Sequence, residues 1–219
     1  MPMTFPAHQG LILPIVRHWP NSFDALALSV GAAMPDITDS ILSFPINGYF
    51  RQWYGHSLPG IFTLDLAGGL FLTWCIAASA RRLFRSRHKP QRSMAPAPIT
   101  TPTLDPEAVG NRKTIPQARE KLRLWSFSVL VGILSHVGFD LISHDTNLLL
   151  YPWYENVRLF PDWWYTIWME IPPLHVLGRR YFVGVFSVVW GMLSVLGTLL
   201  FLRFLRQEYE KRVSADCPH

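Results

Sequence analysis

The sequence predicts an all-α membrane protein: a polytopic helix bundle with three spans and a broken or re-entrant helix pair at its N-terminal end. Three observations lead there. The chain has 219 residues, of which 49% are apolar, only 16% are charged and nine are tryptophan, a balance too apolar for an ordinary soluble domain. Three separate runs meet or approach the ~20 apolar residues that a spanning helix needs. The basic residues sit in the flanks of those runs rather than along an aromatic-interleaved face, so the net charge of +5 reflects membrane topology and not nucleic-acid binding.

Residues 1–57 form the N-terminal segment. Met1 to Val16 lacks the basic start and small-residue cleavage site of a signal peptide, so it is expected to stay in the mature protein. Leu26 to Met34 is apolar but short, and Pro35-Asp36 interrupts it; a broken or re-entrant pair therefore competes with a fourth span. The first clear span is 58–80, broken only by Asp65 and stopped by Arg81, Arg82, Arg85 and Arg87. Residues 81–123 carry eleven Lys/Arg against three Asp/Glu, with six prolines, and read as a flexible cytoplasmic linker.

A second span occupies 124–145, its first 20 residues, Leu124 to Ser143, holding His136 and Asp140. Residues 146–180 follow, rich in tryptophan, tyrosine and proline, and are expected to lie on the outer interface, where amphipathic aromatics meet headgroups. The third span is 181–204, in which Tyr181 to Leu202 runs 22 residues without a charge. Arg203, Arg206, Lys211 and Arg212 mark the 205–219 tail as cytoplasmic. Cys75, inside an apolar run, and Cys217, near the end, make neither a disulfide framework nor a thiolate metal site.

Chemistry concentrates in His136-Val-Gly-Phe-Asp140-Leu-Ile-Ser-His144, where a spacing of four stacks three potential ligands on one helix face. A structural polar face would also explain the pattern, but ionisable groups inside a span are costly and usually mark function. His56, just before the first span, falls at the same depth as His144 by topology; its other reading is a headgroup contact. Asp65 lies nine residues further in, ~13 Å along a helix. It reads as a ligand, as a partner that orients an imidazole, or as a hydrogen bonder between helices. Asp36, in Pro35-Asp36-Ile37-Thr38-Asp39, suits a helix cap or turn, yet two acids in a membrane segment without a nearby Lys or Arg call for a cation. His8 has no such argument from its surroundings and reads as surface. His18, His88 and His219 read as solvated, and Glu170 and His175 as outer-segment groups meeting water or headgroups. G-x-S-x-G, P-loop and H-E-x-x-H signatures are missing.

Four blocks resemble, in order, the bacterial membrane family called domain of unknown function 4184. They are Met3-Thr4-Phe5-Pro6-Ala7-His8, Gly31-Ala32-Ala33-Met34-Pro35-Asp36, Gly55-His56-Ser57-Leu58-Pro59-Gly60, and Gly132-Ile133-Leu134-Ser135-His136 continued through Asp140 to His144. The family is similar to inner-membrane metal-dependent hydrolases, and its ligand order is similar to that of zinc-dependent phospholipase C, although the later His-x-x-x-Glu pair of those enzymes has no counterpart here. The resemblance implies metal ligands at His8, Asp36, His56, His136, Asp140 and His144, one or two divalent ions with zinc the best fit, and Asp140 or Asp36 as ligand or general base. It also implies a bacterial inner-membrane location.

Two functions are consistent with these residues. One is a metal-dependent hydrolase acting on a lipid-like ester, with membrane lipids as its surroundings. The other is a non-catalytic transporter or scaffold whose His and Asp residues hold a structural ion or relay protons. The charge pattern makes a direct prediction: a cysteine placed at Ser93 should resist an impermeant thiol reagent in intact cells and react after lysis, whereas labelling from outside would reverse the orientation.

Overall fold

The computed structural model of the protein describes residues 6–42, 54–87, 114–144, 149–154, 157–171 and 181–216. Most of the expected linker, residues 172–180 and the ends of the chain, including His88, His175 and His219, lie outside the described residues. Among the described residues three helices are long and apolar enough to cross a membrane, Leu58–Leu83, Gln117–Ser143 and Val185–Lys211. The expected N-terminal pair is also present: Ala25–Gly31 and Met34–Leu42 meet at a bend of 42°, as a broken span or a re-entrant loop.

In chain order, α1 (Ala7–Ile12) and α2 (Ile15–His18) are short, and α3 (Ala25–Gly31) and α4 (Met34–Leu42) form the bent pair. A three-residue α5 (Leu58–Gly60) leads through a π-helical turn (Ile61–Asp65) into α6 (Leu66–Arg87). Helix α7 (Thr114–Ser143) is central, and α8 (Val185–Asp216) closes the bundle. The aromatic segment after α7 contains a 3-10 turn, Asp162–Tyr165, and the strand β1 (Ile167–Ile171), which pairs antiparallel with β2 (Tyr181–Gly184), Met169 opposite Val183.

Four boundaries differ from the sequence expectation. The last span starts at Val185, because Tyr181–Gly184 pairs as β2. Helix α7 begins ten residues before Leu124, at Thr114, and α6 runs on through Arg87, so both ends of the expected linker are helical. Helix α8 likewise continues through the basic tail to Asp216. The reason is the same for α6, α7 and α8. Lys, Arg, Glu and Gln are good helix formers, so charge ends the membrane crossing without ending the helix.

Large apolar side chains cover the outside of the bundle. Phe62, Phe71, Trp74, Met192, Val195 and Leu199 are all more than half exposed, a surface that suits lipid and not water. Inside, Ala27, Val30, Met34, Ile61, Trp125, Val129, Ile133 and Val137 form one core at the crossing of α3, α6 and α7. Asp24 starts α3 and fastens it to α7. Its side chain caps Ala27 N at 2.9 Å, its amide donates to Ser128 Oγ at 2.9 Å, and Trp125 Nε1 donates to its carboxylate at 3.2 Å.

Lipid supplies little hydrophobic drive for helix association, so close packing of small residues must hold the bundle. Two glycine contacts show it. A Cβ at Gly132 would stand 2.4 Å from the Leu28 carbonyl oxygen, and one at Gly10 only 1.6 Å from that of Gly197, so α3 lies against α7 and α1 against α8 with backbones touching. Gly138, on the same helix as Gly132, has open space around it. Gly132→Ala should therefore lower the stability of the detergent-solubilised protein by about 1–3 kcal/mol through overpacking. Gly138→Ala should be neutral or raise stability by up to ~1 kcal/mol. Equal effects of the two in an unfolding titration would contradict this packing.

Candidate metal centre

The site is assembled at one end of the bundle from four pieces of chain. Helix α3 runs beside α7 from Asp24, bonded to Ser128, to Ala32, bonded to His136. At the break after α3, Pro35 has no N–H to continue the helix, and α4 leaves with Asp36 in its first turn. The loop before α5 brings His56: Ser57 caps Gly60 N, and Gly55 N donates to Asp39 Oδ1 at 2.7 Å. Helix α1 contributes His8, stacked on His136 with ring centres 3.9 Å apart.

His136 is wholly buried, and its Nδ1 donates to the Ala32 carbonyl at 2.7 Å. That bond fixes the tautomer and leaves Nε2 with its lone pair toward the site. His56 is arranged in the same way, its Nδ1 lying 2.7 Å from Asp39 Oδ2. The two Nε2 atoms then face one another at 3.2 Å, with Asp140 Oδ2 at 2.9 Å from His56 and 3.3 Å from His136. Two facing lone pairs beside a carboxylate are favourable only with a cation among them, whether proton or metal. Burial opposes charge on His56, yet the bonds to Asp140 and Asp39 outweigh it and raise this imidazole to about 10.

Asp36 Oδ1 completes the group at 3.7 Å from His136 Nε2 and 3.9 Å from His56 Nε2. Four ligands at ~2.0–2.2 Å from a tetrahedral zinc ion stand about 3.3–3.6 Å from one another. The distances from Asp140 and Asp36 to His56 and His136, and between the two imidazoles, run from 2.9 to 3.9 Å and bracket that value. On the far side, Asp140 Oδ1 lies 3.6 Å from His8 Nε2 and 3.4 Å from His144 Nδ1. Burial, with His136 beside it, lowers His8 to about 3 and keeps it neutral, the form a metal ligand requires. Both His8 nitrogens and Asp140 Oδ1 are buried without a hydrogen-bond partner. Buried polar atoms left in this state are costly unless something not yet present engages them. His8, His136 and Asp140, and separately Asp36, His56 and His136, are groups that could hold a metal ion.

All six residues named from the sequence are thus brought together, from position 8 to position 144. Surface exposure, the reading of His8 from its local surroundings, is corrected: the side chain is 1% exposed, because α1 packs into the bundle instead of lying on it. Asp65 is also fully buried and stands outside the cluster, accepting from Thr38 Oγ1 at 2.5 Å and so bridging the π-helical turn to α4. Of the three readings of that residue, the bond between helices is the one observed. His18 and Glu170 are exposed. Sequence reasoning grouped Asp39 with Asp36 as an acid needing a cation, whereas its partner is the His56 ring and the Gly55 amide. The Ala32 carbonyl left no signal, since a backbone acceptor has no residue type.

The family model described as Domain of unknown function (DUF4184) matches residues 1–201. The chain belongs to this family. No curated protein and no solved structure matches it. The match takes in every residue of the cluster, the first two long apolar helices and most of the third.

An imidazole loses ligand strength and aim when its partner on the other nitrogen is removed. Asp39→Ala should weaken binding of a divalent ion by about 10–100-fold with the fold retained. His18→Ala should leave affinity unchanged. Zinc competition with a chelating dye on the purified protein measures both, and an unaltered Asp39→Ala affinity would remove Asp39 from the site.

Proposed function

We propose that the protein is a metal-dependent hydrolase of an amphiphilic, lipid-like ester, embedded in the bacterial inner membrane with its centre at the outer ends of the spans. The carrying observation is the convergence of two Nε2 atoms and the Asp140 carboxylate at ligand spacing, with the Asp36 carboxylate beside them, among helices whose outer surface is lipid-facing. Imidazole with carboxylate suits zinc among the divalent ions. The charge pattern supports the outer placement, because the basic flanks of α6, α7 and α8 lie at the ends of those helices away from the cluster.

A divalent ion bound there supplies Lewis acidity toward a phosphoryl or carbonyl oxygen and a water whose pKa falls to about 7. The chain's own residues divide the remaining work. His56 and His136 hold the ion with lone pairs aimed by Asp39 and Ala32. Asp140, 7% exposed and facing imidazoles on both oxygens, is built to ligate. Asp36 is the most open member, its side chain 23% exposed, and its Oδ1 lies beyond hydrogen-bond reach of both imidazoles. This leaves Asp36 the better placed to take a proton from the attacking water and to mark the side from which substrate enters. The outer aromatic segment is anchored nearby, Trp164 Nε1 donating to the Ile142 carbonyl at 3.1 Å, and would hold an amphiphile's headgroup at this depth.

Elemental analysis of purified protein, beside a screen of phospho- and acyl-ester lipids, tests the proposal. Wild type should contain zinc or another divalent ion and cleave at least one ester class. His136→Ala should lose both metal and activity, whereas Asp36→Asn should keep metal and lose about 10²–10⁴-fold in rate. Metal-free wild type would end the proposal. Metal without activity on any ester would assign the centre to a structural ion or proton relay instead.

A further inference from the structure

We infer that α8 pairs in parallel with the α8 of a second copy of this chain, along an apolar seam on the side of the helix turned away from α1. Val188, Met192, Val195, Leu199, Leu202, Arg206, Tyr209 and Val213 follow one another at alternating steps of four and three. That is the 3.5-residue repeat of two helices wound around each other, sustained here from Val188 to Val213. The apolar members are between 45% and 70% exposed, and the Arg206 side chain is 81% exposed. The other side of α8 is occupied. Gly197 lies against the backbone of Ala7, and Arg17 stands over the Phe204 ring at 5.2 Å. Gly197 and Phe204 are one heptad apart and fall opposite the seam, so α1 and α2 leave it open.

Lipid accounts for the first part of this stripe but not for all of it. The uncharged run ends at Leu202, and Tyr209 and Val213 stand ~9 and ~15 Å beyond Arg203 along the helix, among Glu208, Glu210 and Lys211. An apolar row at that height faces water unless another surface covers it. The stretch from Arg203 to the end of α8 at Asp216 is also of a length at which a lone helix is marginal in water. The charges select the occupant. Arg206 is the one charged member of the seam, and its Nε donates at 2.7 Å to Oε1 of Glu210, on the seam's flank. The basic flanks orient both copies the same way in the membrane, so the two helices meet in parallel and equivalent positions face each other across a twofold axis. Two Arg206–Glu210 pairs then lie side by side, each guanidinium between a carboxylate of its own chain and one of the other, and the four charges sum to zero. Lys211 bonds Glu208 at 2.7 Å on the side away from the seam and takes no part. A single charged residue in an otherwise apolar repeat fixes register at some cost in stability.

Cysteine cross-linking of the full chain in native membranes tests this, and the result does not depend on what the metal centre does. In a Cys75→Ser, Cys217→Ser background, Tyr209→Cys and Val213→Cys lie on the seam and should give a disulfide-linked species of twice the chain mass under mild oxidation. Glu208→Cys and Lys211→Cys, also beyond the membrane but facing away, should stay at the mass of one chain. Wild type in detergent should scatter light as a pair, and Tyr209→Lys combined with Val213→Lys should halve that mass while keeping the helical circular dichroism, since both changes lie outside the spans. Equal cross-linking at all four positions would reduce the contact to random collision and overturn the inference. A wild-type mass of one chain, with Tyr209→Cys and Val213→Cys left unlinked, would also overturn it and assign the stripe to lipid or to a different protein.

Discussion

The hydrogen bond from His136 Nδ1 to the Ala32 carbonyl sets the terms for the rest of the structure. A helix break leaves carbonyls without donors, and a buried imidazole has a donor without an obvious acceptor. Each cost cancels the other at 2.7 Å. The chain must therefore break where α3 reaches the depth of His136, and Pro35 in the first turn of α4 makes the break permanent. Everything that follows Ala32 is directed by this bend. Asp36 and Asp39 leave it three residues apart on α4, one toward both imidazoles and the other toward the outer nitrogen of His56.

The membrane tightens these requirements. Long helices satisfy their own backbone, so lipid tolerates them, but lipid offers no water to a stranded side chain. The polar groups of the interior therefore meet one another: Asp24 with Trp125 and Ser128, Asp65 with Thr38, Thr73 with the Gly69 carbonyl. Among the described residues unpartnered buried atoms are few, one of them on Asp65 itself, and those of His8 and Asp140 differ in facing one another inside the cluster. Backbone contact at Gly10, Gly31, Gly132 and Gly197 lets the short α1 and α3 reach the long helices closely enough for a side chain as compact as histidine to arrive at the centre.

Much of the fold was legible because apolar length is a one-dimensional signal. Leu58 onward, Leu124 onward and the run before Arg203 announce themselves without any knowledge of packing. Hydropathy says nothing, however, about where a helix stops once it leaves the bilayer, which is why the charged extensions of α6, α7 and α8 were not foreseen. The strand pair holding Trp168 and Phe182 was also missed, since its aromatic residues serve an interface and a strand equally well. Within the site, His136, Asp140 and His144 were visible through helical spacing, and Asp36 through the oddity of unpaired acids. His8 was not, because its partners lie on α7, far along the chain; only the family resemblance named it. The role of Asp39 depends on a loop pressed against α4, a tertiary fact with no local period.

The π-helical turn at Ile61–Asp65 has a wider meaning for how such a chain can vary. An inserted residue in a helix rotates everything beyond it by about 100° relative to what precedes it. On one side of the turn the chain must present His56 to the polar cluster. On the other, Gly68 and Gly69 must meet Met34 and Val129 while Phe71 and Trp74 face lipid. The turn acts as a phase adjuster between two registers that an uninterrupted helix would not satisfy together. Insertions or deletions of one residue in this stretch would turn the lipid face of α6 inward, so length here is constrained more tightly than residue identity.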